Sequence, residues 1–187
     1  MITLPEEQSD ERLISATLAG DDGAFAHLVT RYKRRVFGLA TRFARGHDEL
    51  DDICQEVFIK VYDNLSRFRH ESLFEHWLTK ITVRTCIDAL RSWRRDADRI
   101  PADQVVTIRD YAGEARSEAR EARELLSWAM AQLKPDERVV ITLMELEEKT
   151  IKETAALTGW SEANVKVRAY RARQALKRIL EVDHGKR

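Results

Sequence analysis

Apolar residues recur along this chain at three- and four-residue steps, and no convincing run of alternating apolar and polar positions appears, so the pattern belongs to amphipathic α-helices rather than strands. Phe25, Leu28, Val29, Tyr32, Val36, Leu39, Ala40 and Phe43 mark a predicted helix over 24–43, opened by Asp21, Asp22 and Gly23. A second begins after Asp48, with Leu50, Ile53, Cys54, Val57, Phe58, Val61, Tyr62 and Leu65 on one face. Its other face starts acidic, with Glu49, Asp51, Asp52 and Glu56 and no basic residue before Lys60. Residues 66–71 read as a loop. Ser72 and Glu75 then match a capping box, in which side-chain oxygens satisfy free backbone donors at a helix start. At ~100° per residue, the helix predicted to run to Arg95 has a core face of Phe74, Trp77, Leu78, Ile81 and Thr85. Lys80, Arg84, Arg91, Arg94 and Arg95 form a separate basic face.

The pattern lapses over 96–113, a stretch that contains Pro101 and reads as a linker that is free to move. It resumes where charges alternate over 116–123 and merge into Leu125, Leu126, Ala129, Met130 and Leu133. Pro135 fits the first position of a new helix, with Asp136 and Glu137 in its dipole-favoured first turn. Thr150 and Glu153 form a second capping-box signature, opening a short helix that ends at Gly159. Ser161 caps a last helix with Val165, Ala169, Ala172, Leu176 and Ile179 inward. Helix, glycine turn, helix is the helix-turn-helix arrangement. The expected fold is therefore all-α. Two small helical domains, over 21–95 and 118–182, are joined by a linker over 96–117, with an N-terminal extension over 1–20 and a tail over 183–187.

The chain has 187 residues, 43% hydrophobic and 34% charged, enough for two small cores. Lys plus Arg and Asp plus Glu are both 32, so any nucleic-acid signal must be local rather than global. Cys54 and Cys86 lie outside any CxxC pair, and His47, His70 and His76 lack the spacing of a metal set; neither a disulfide framework, a metal site nor a cofactor is expected. Both cysteines read as packing residues, as do Trp77, Trp93 and Trp128, while Trp160 before the last cap reads as a hydrophobic staple. No apolar run approaches the ~20 residues of a membrane-spanning helix, and the expected setting is the cytoplasm. Gly-rich phosphate loops, HExxH and GxSxG are absent, so catalysis is not expected.

Local charge does point somewhere. Between Ser161 and Leu180, Lys166, Arg168, Arg171, Arg173, Lys177 and Arg178 face only Glu162. A helix N-terminus in the major groove brings side chains to base edges while flanking cations neutralise phosphates. Ala163, Asn164, Lys166, Val167, Tyr170 and Arg171 project away from the core. On charge alone, a solvated basic face or a partner-binding helix remains open; the cap, the turn and the preceding short helix weigh against it.

The run TIKETAALTGWSEANVKVRAYRAR over 150–173 resembles the region-four helix-turn-helix of bacterial sigma factors, and DDICQEVF over 51–58 resembles their region two. FRHES over 68–72, FEHWL over 74–78 and IDALR over 87–91 extend the second likeness. Both blocks, in this order with a short linker, resemble the extracytoplasmic-function group. The resemblance implies a non-enzymatic protein that joins core RNA polymerase and directs it to promoters, under the control of an anti-sigma factor. It implies polymerase docking through Asp51, Asp52, Gln55, Glu56 and Phe58. It also implies capture of a base flipped out of the minus-ten element by Phe68, Arg69, Glu71 and Ser72, with Lys80, Arg84, Arg91, Arg94 and Arg95 tracking the opening strand. For the minus-thirty-five element it implies Thr150, Ser161, Ala163, Asn164, Lys166, Val167, Arg168, Tyr170 and Arg171. Arg84 stands where many members carry Asn, which leaves base contact and phosphate contact equally open there.

Two rival readings belong to other classes. A free-standing dimeric helix-turn-helix regulator would bind duplex DNA tightly without core polymerase. An interaction module sequestered by a partner would support no promoter-dependent transcript.

Overall fold

A computed structural model describes residues 9–44, 46–97 and 117–184. Within them the regular structure is helical throughout. The helices are α1 (Asp10–Leu18), α2 (Asp22–Thr41), α3 (His47–Asn64), α4 (Phe74–Ala97), α5 (Ser117–Gln132), α6 (Pro135–Ile141), α7 (Ile151–Thr158) and α8 (Glu162–His184). A 3-10 turn, Leu65–Arg67, follows α3, and a π-helical turn, Thr142–Leu146, follows α6.

Local chemistry accounts for most of the boundaries. The Asp21 carboxylate accepts the Ala24 N–H at 3.2 Å and starts α2. Thr150 and Glu153 form the reciprocal box at the start of α7, with Thr150 N–H donating to Glu153 at 2.8 Å and Glu153 N–H to the Thr150 hydroxyl at 3.2 Å. Gly159 ends α7 at φ 79°, a left-handed conformation natural to glycine, and Ser161 Oγ accepts the Asn164 N–H at 3.2 Å to open α8. At α4 the expected Ser72–Glu75 box does not close. The Ser72 hydroxyl turns to the Leu73 carbonyl at 3.5 Å, and Glu75 pairs with Arg35 of α2 at 2.5 Å. A tertiary cation has outcompeted a local backbone donor for the carboxylate.

Leu28, Val36, Ala40, Phe43, Ile53, Val57, Val61, Leu78, Val83 and Cys86 build the core of the first module from α2 and the turn after it, α3 and α4. Leu13 and Ile14 of α1 are equally buried, and Asp10 accepts hydrogen bonds from Arg31 at 2.5 Å and from the Tyr32 hydroxyl. Part of the expected N-terminal extension is thus a structural element of this module. Burial, helped by Asp10, pushes the Tyr32 phenol well above its ordinary range.

The second module has a small core of Met130, Leu133, Ile141 and Ala172, with Leu146, Leu176 and Ile179 packed around it. Its one departure from expectation is the π turn, where Glu147 N–H reaches the Thr142 carbonyl at 3.0 Å. The following Lys149 N–H bonds the Leu143 carbonyl at 2.8 Å, which holds Glu148 at φ 51°. The linker expected over 96–117 falls almost entirely outside the described residues; α4 continues to Ala97 and α5 starts at Ser117.

The two modules are closed on each other. α6 and α7 pack against α4, and Val139, Leu143 and Leu157 join the same buried cluster as the first module's core, with Trp160 packed alongside. Arg42 at the end of α2 pairs with Glu147 at 3.0 Å, and Arg91 of α4 with Asp136 of α6 at 3.1 Å.

Candidate polymerase and DNA interfaces

On α3 the core claims Leu50, Ile53, Val57 and Val61, which leaves Asp51, Asp52, Gln55 and Glu56 exposed on the opposite side. Glu56 pairs with Lys60 at 3.3 Å, and Lys60 also reaches Asp88 of α4 at 3.8 Å, so the acidic surface is densest in the first two turns. Phe58 is half-buried against the core. The outward apolar position beside the acids is Ile59, 47% exposed. Its wheel angle opposite Val57 was the available signal. Tyr62, expected on the buried face, is also 47% exposed, with its ring edge-on to Phe25 at 4.9 Å. The outer face of α3 is therefore acidic with an apolar strip.

The loop between the 3-10 turn and α4 presents Arg69, Glu71 and Ser72 to solvent and holds His70 at φ 56°, an uncommon backbone state. Phe68 is only 9% exposed, its ring 5.6 Å from Phe74, 5.3 Å from Trp77 and 4.6 Å from His70. It forms the floor of the loop and offers no open stacking face. Leu73, 67% exposed at the loop's end, went unremarked in the sequence.

Along α4 the structure keeps Arg84, Arg91 and Arg95 exposed and Lys80 half-buried; the Arg94 side chain lies outside the described residues. This basic face is turned partly toward the second module. A Cβ added at Gly159 would stand 3.6 Å from Arg84 Nη2, which places the guanidinium beside the α7–α8 turn.

In the helix-turn-helix, Val165, Ala169 and Ala172 are buried, and Ala163, Asn164, Lys166, Val167, Tyr170 and Arg171 are exposed, Tyr170 at 66%. Thr150 and Ser161 are exposed caps whose side-chain oxygens are engaged by backbone N–H groups. Arg168 differs from its neighbours. Its guanidinium donates to Asn164 at 2.5 Å, pairs with Asp136 and lies 4.3 Å over the Trp160 ring. Arg173 is likewise engaged, by Glu145 at 2.7 Å.

Among the described residues no group of His, Cys, Asp and Glu could hold a metal ion, and no helix is long and apolar enough to cross a membrane. Cys86 is buried, and that burial pushes its thiol up to about 12; half-buried Cys54 rises to about 11 for the same cause.

Two helical modules, one bearing an acidic and apolar outer face and the other a capped helix-turn-helix with outward cations, define a bipartite DNA-binding protein. Comparison with known families gives the class its name. Residues 28–96 match Sigma-70 region 2 and residues 123–176 match Sigma-70, region 4. The chain is 31% identical to the ECF RNA polymerase sigma-E factor of Escherichia coli (strain K12) over 182 residues, covering 92% of this chain and 95% of that one. It is 29% identical to the ECF RNA polymerase sigma factor SigM of Mycobacterium tuberculosis, covering 93% and 86%. A solved structure of CnrH in complex with the cytosolic domain of CnrY superposes with a TM-score of 0.59 at 25% identity, covering 94% of this chain and 99% of that one. The sigma factor RpoE of Bartonella quintana, solved with the anti-sigma factor NepR, shares the fold with a TM-score of 0.61 at 22% identity, over 85% and 98%. The chain belongs to the extracytoplasmic-function group of sigma-70 factors, the subunits that bind core RNA polymerase and direct promoter-specific initiation.

Proposed function

We infer that the two charged faces divide the work. The acidic outer face of α3, through Asp51, Asp52, Gln55 and Glu56 with Ile59 beside them, docks on core polymerase. The loop of Arg69, Glu71 and Ser72, floored by Phe68, receives a base flipped from the minus-ten element, and Lys80, Arg84, Arg91, Arg94 and Arg95 follow the opened strand. Thr150, Ser161, Ala163, Asn164, Lys166, Val167, Arg168, Tyr170 and Arg171 engage the minus-thirty-five element, with the start of α8 in the major groove. The factor performs no covalent chemistry. Strand opening draws on binding, because contacts to the flipped base and single strand offset lost stacking of a few kcal/mol. The likeness to CnrH, solved in complex with the cytosolic domain of CnrY, supports control of this chain by a partner protein that binds it in the cytoplasm, a role that suits the anti-sigma factor the sequence leads one to expect.

The carrying observation is the segregation of charge: exposed acids on α3 and exposed cations on a capped helix-turn-helix. The double variant Asp52→Lys/Glu56→Lys should abolish association with core polymerase in a pull-down while its circular dichroism stays that of the parent. Undiminished association would refute the docking assignment. Selecting genomic fragments with reconstituted holoenzyme tests the DNA assignments, and tight duplex binding without core enzyme would favour a free-standing regulator instead.

A further inference from the structure

Asn164 is exposed on the outer side of α8, yet its amide is not left to rotate. Its backbone is set in the first turn, where Ser161 Oγ accepts the Asn164 N–H at 3.2 Å. Its side chain is set one turn later, where Arg168 Nε donates to Asn164 Oδ1 at 2.5 Å. The guanidinium is itself held on two further sides. Asp136 of α6 accepts from Nη1, and Arg168 Cζ stands 4.3 Å over the centre of the Trp160 ring. These residues all belong to the second module, so the arrangement does not depend on the first. Arginine carries donors and no acceptor. The atom that faces Nε is therefore the amide oxygen, and the amide nitrogen is turned the other way.

We propose that Arg168 is a positioning residue that makes Asn164 a donor toward the bases, and that the pair selects guanine at one position of the minus-thirty-five element. The proposal rests on the assignment of the start of α8 to the major groove. An Asn amide that rotates freely reads adenine, donating to N7 while accepting from the N6 amino group. Here the oxygen is already engaged. Its second lone pair lies beside a cation, so an adenine amino group arriving there meets a guanidinium that is also a donor. Guanine presents N7 and O6, both acceptors, and needs only the nitrogen end of the amide. Cytosine presents an amino donor and finds no acceptor. Arg168 thus takes part in recognition through the orientation it imposes, and the amide is ordered before DNA arrives.

Selection from a promoter library randomised over the upstream element, with holoenzyme reconstituted on core polymerase, reads the preference directly. The parent should enrich guanine over adenine at one position by about three- to tenfold, the size of one net hydrogen bond, and Asn164→Ala should erase the preference at that position alone. Arg168→Met keeps the aliphatic stem and releases the amide, so guanine and adenine should become equal there. Asn164→Asp keeps the contact to Arg168 and removes no packing, but it replaces the donor by an acceptor; preference should pass to cytosine. This second variant decides the matter even if Arg168→Met folds poorly. A loss of affinity in Arg168→Met that is equal for every sequence, with a shallower salt dependence and guanine still preferred, would make Arg168 a phosphate contact and overturn the proposal. Guanine retained by Asn164→Asp, adenine enriched by the parent, or a selected sequence that Asn164→Ala leaves unchanged would overturn it too. Arg171→Ala separates the two levels. If it and Asn164→Ala both leave upstream binding intact, α8 is off the DNA and the proposal falls with that assignment; if Arg171→Ala weakens binding while the Asn164 and Arg168 variants keep the parent's preference, the proposal falls alone.

Discussion

Replacing Gly159 by Ala isolates one physical term. Gly159 sits at φ 79° and ψ 11°, and its N–H closes α7 on the Ala155 carbonyl at 2.9 Å. A Cβ there would meet Arg84 Nη2 at 3.6 Å, an ordinary contact with the end of a flexible side chain, so steric overlap contributes nothing. What remains is the left-handed backbone, which costs an L-residue roughly 1–2 kcal/mol. Reduced freedom of the unfolded chain returns about 0.4–1 kcal/mol. The net loss should be about 1 kcal/mol, and Gly159→Asn should lose less, because Asn tolerates this region. Urea unfolding followed by circular dichroism measures it as a lower midpoint with an unchanged slope. Glu148, held at φ 51° without glycine, supplies the converse: Glu148→Gly should gain about 0.5–1 kcal/mol. A Gly159→Ala loss above about 3 kcal/mol, no loss at all, or an Asn variant worse than Ala would refute the backbone argument.

Three further outcomes are expected. Arg171→Ala should weaken minus-thirty-five binding of the holoenzyme by about 1–3 kcal/mol if the guanidinium pairs with a base, and a uniform loss over all sequences in a filter-binding titration would show phosphate contact instead. Hydrogen bonds from the Thr150 hydroxyl and backbone hold the Glu153 carboxyl below its ordinary value of 4.5, so its contribution is complete above that value and fades as pH falls through the lower folded value; Glu153→Gln should flatten stability over this acidic window, and an unchanged pH profile would sink the assignment. Iodoacetamide at pH 8 should leave both thiols of the native protein essentially unmodified and alkylate both after denaturation, since burial holds Cys86 at about 12 and Cys54 at about 11; rapid native labelling would contradict that burial.

Caps and periodicity were legible residue by residue. Asp21, Thr150 with Glu153, Gly159 and Ser161 act through atoms within four positions of themselves, and the structure places each where the pattern put it. Three-residue and four-residue spacing likewise exposed the inward face of α8, because one helix suffices to define it. The motif likeness of 51–58 and 150–173 made the family readable as well.

Other features needed partners that local spacing does not reveal. Glu75 left its capping box for Arg35, 40 positions away in a different helix. Phe68 became a buried floor once Phe74 and Trp77 closed over it, and Ile59 came to lie exposed beside the acids while Phe58 packed half-buried against the core. α1 joined the first core through Leu13 and Ile14. Most of all, the sequence by itself determined which helices carry acid and which carry base, since charge and helical phase are written in the residues. Only the tertiary structure decided that Asp136 would lie between Arg91 and Arg168, because pairing across a junction depends on how two cores dock, and docking is a property of whole surfaces rather than of any segment.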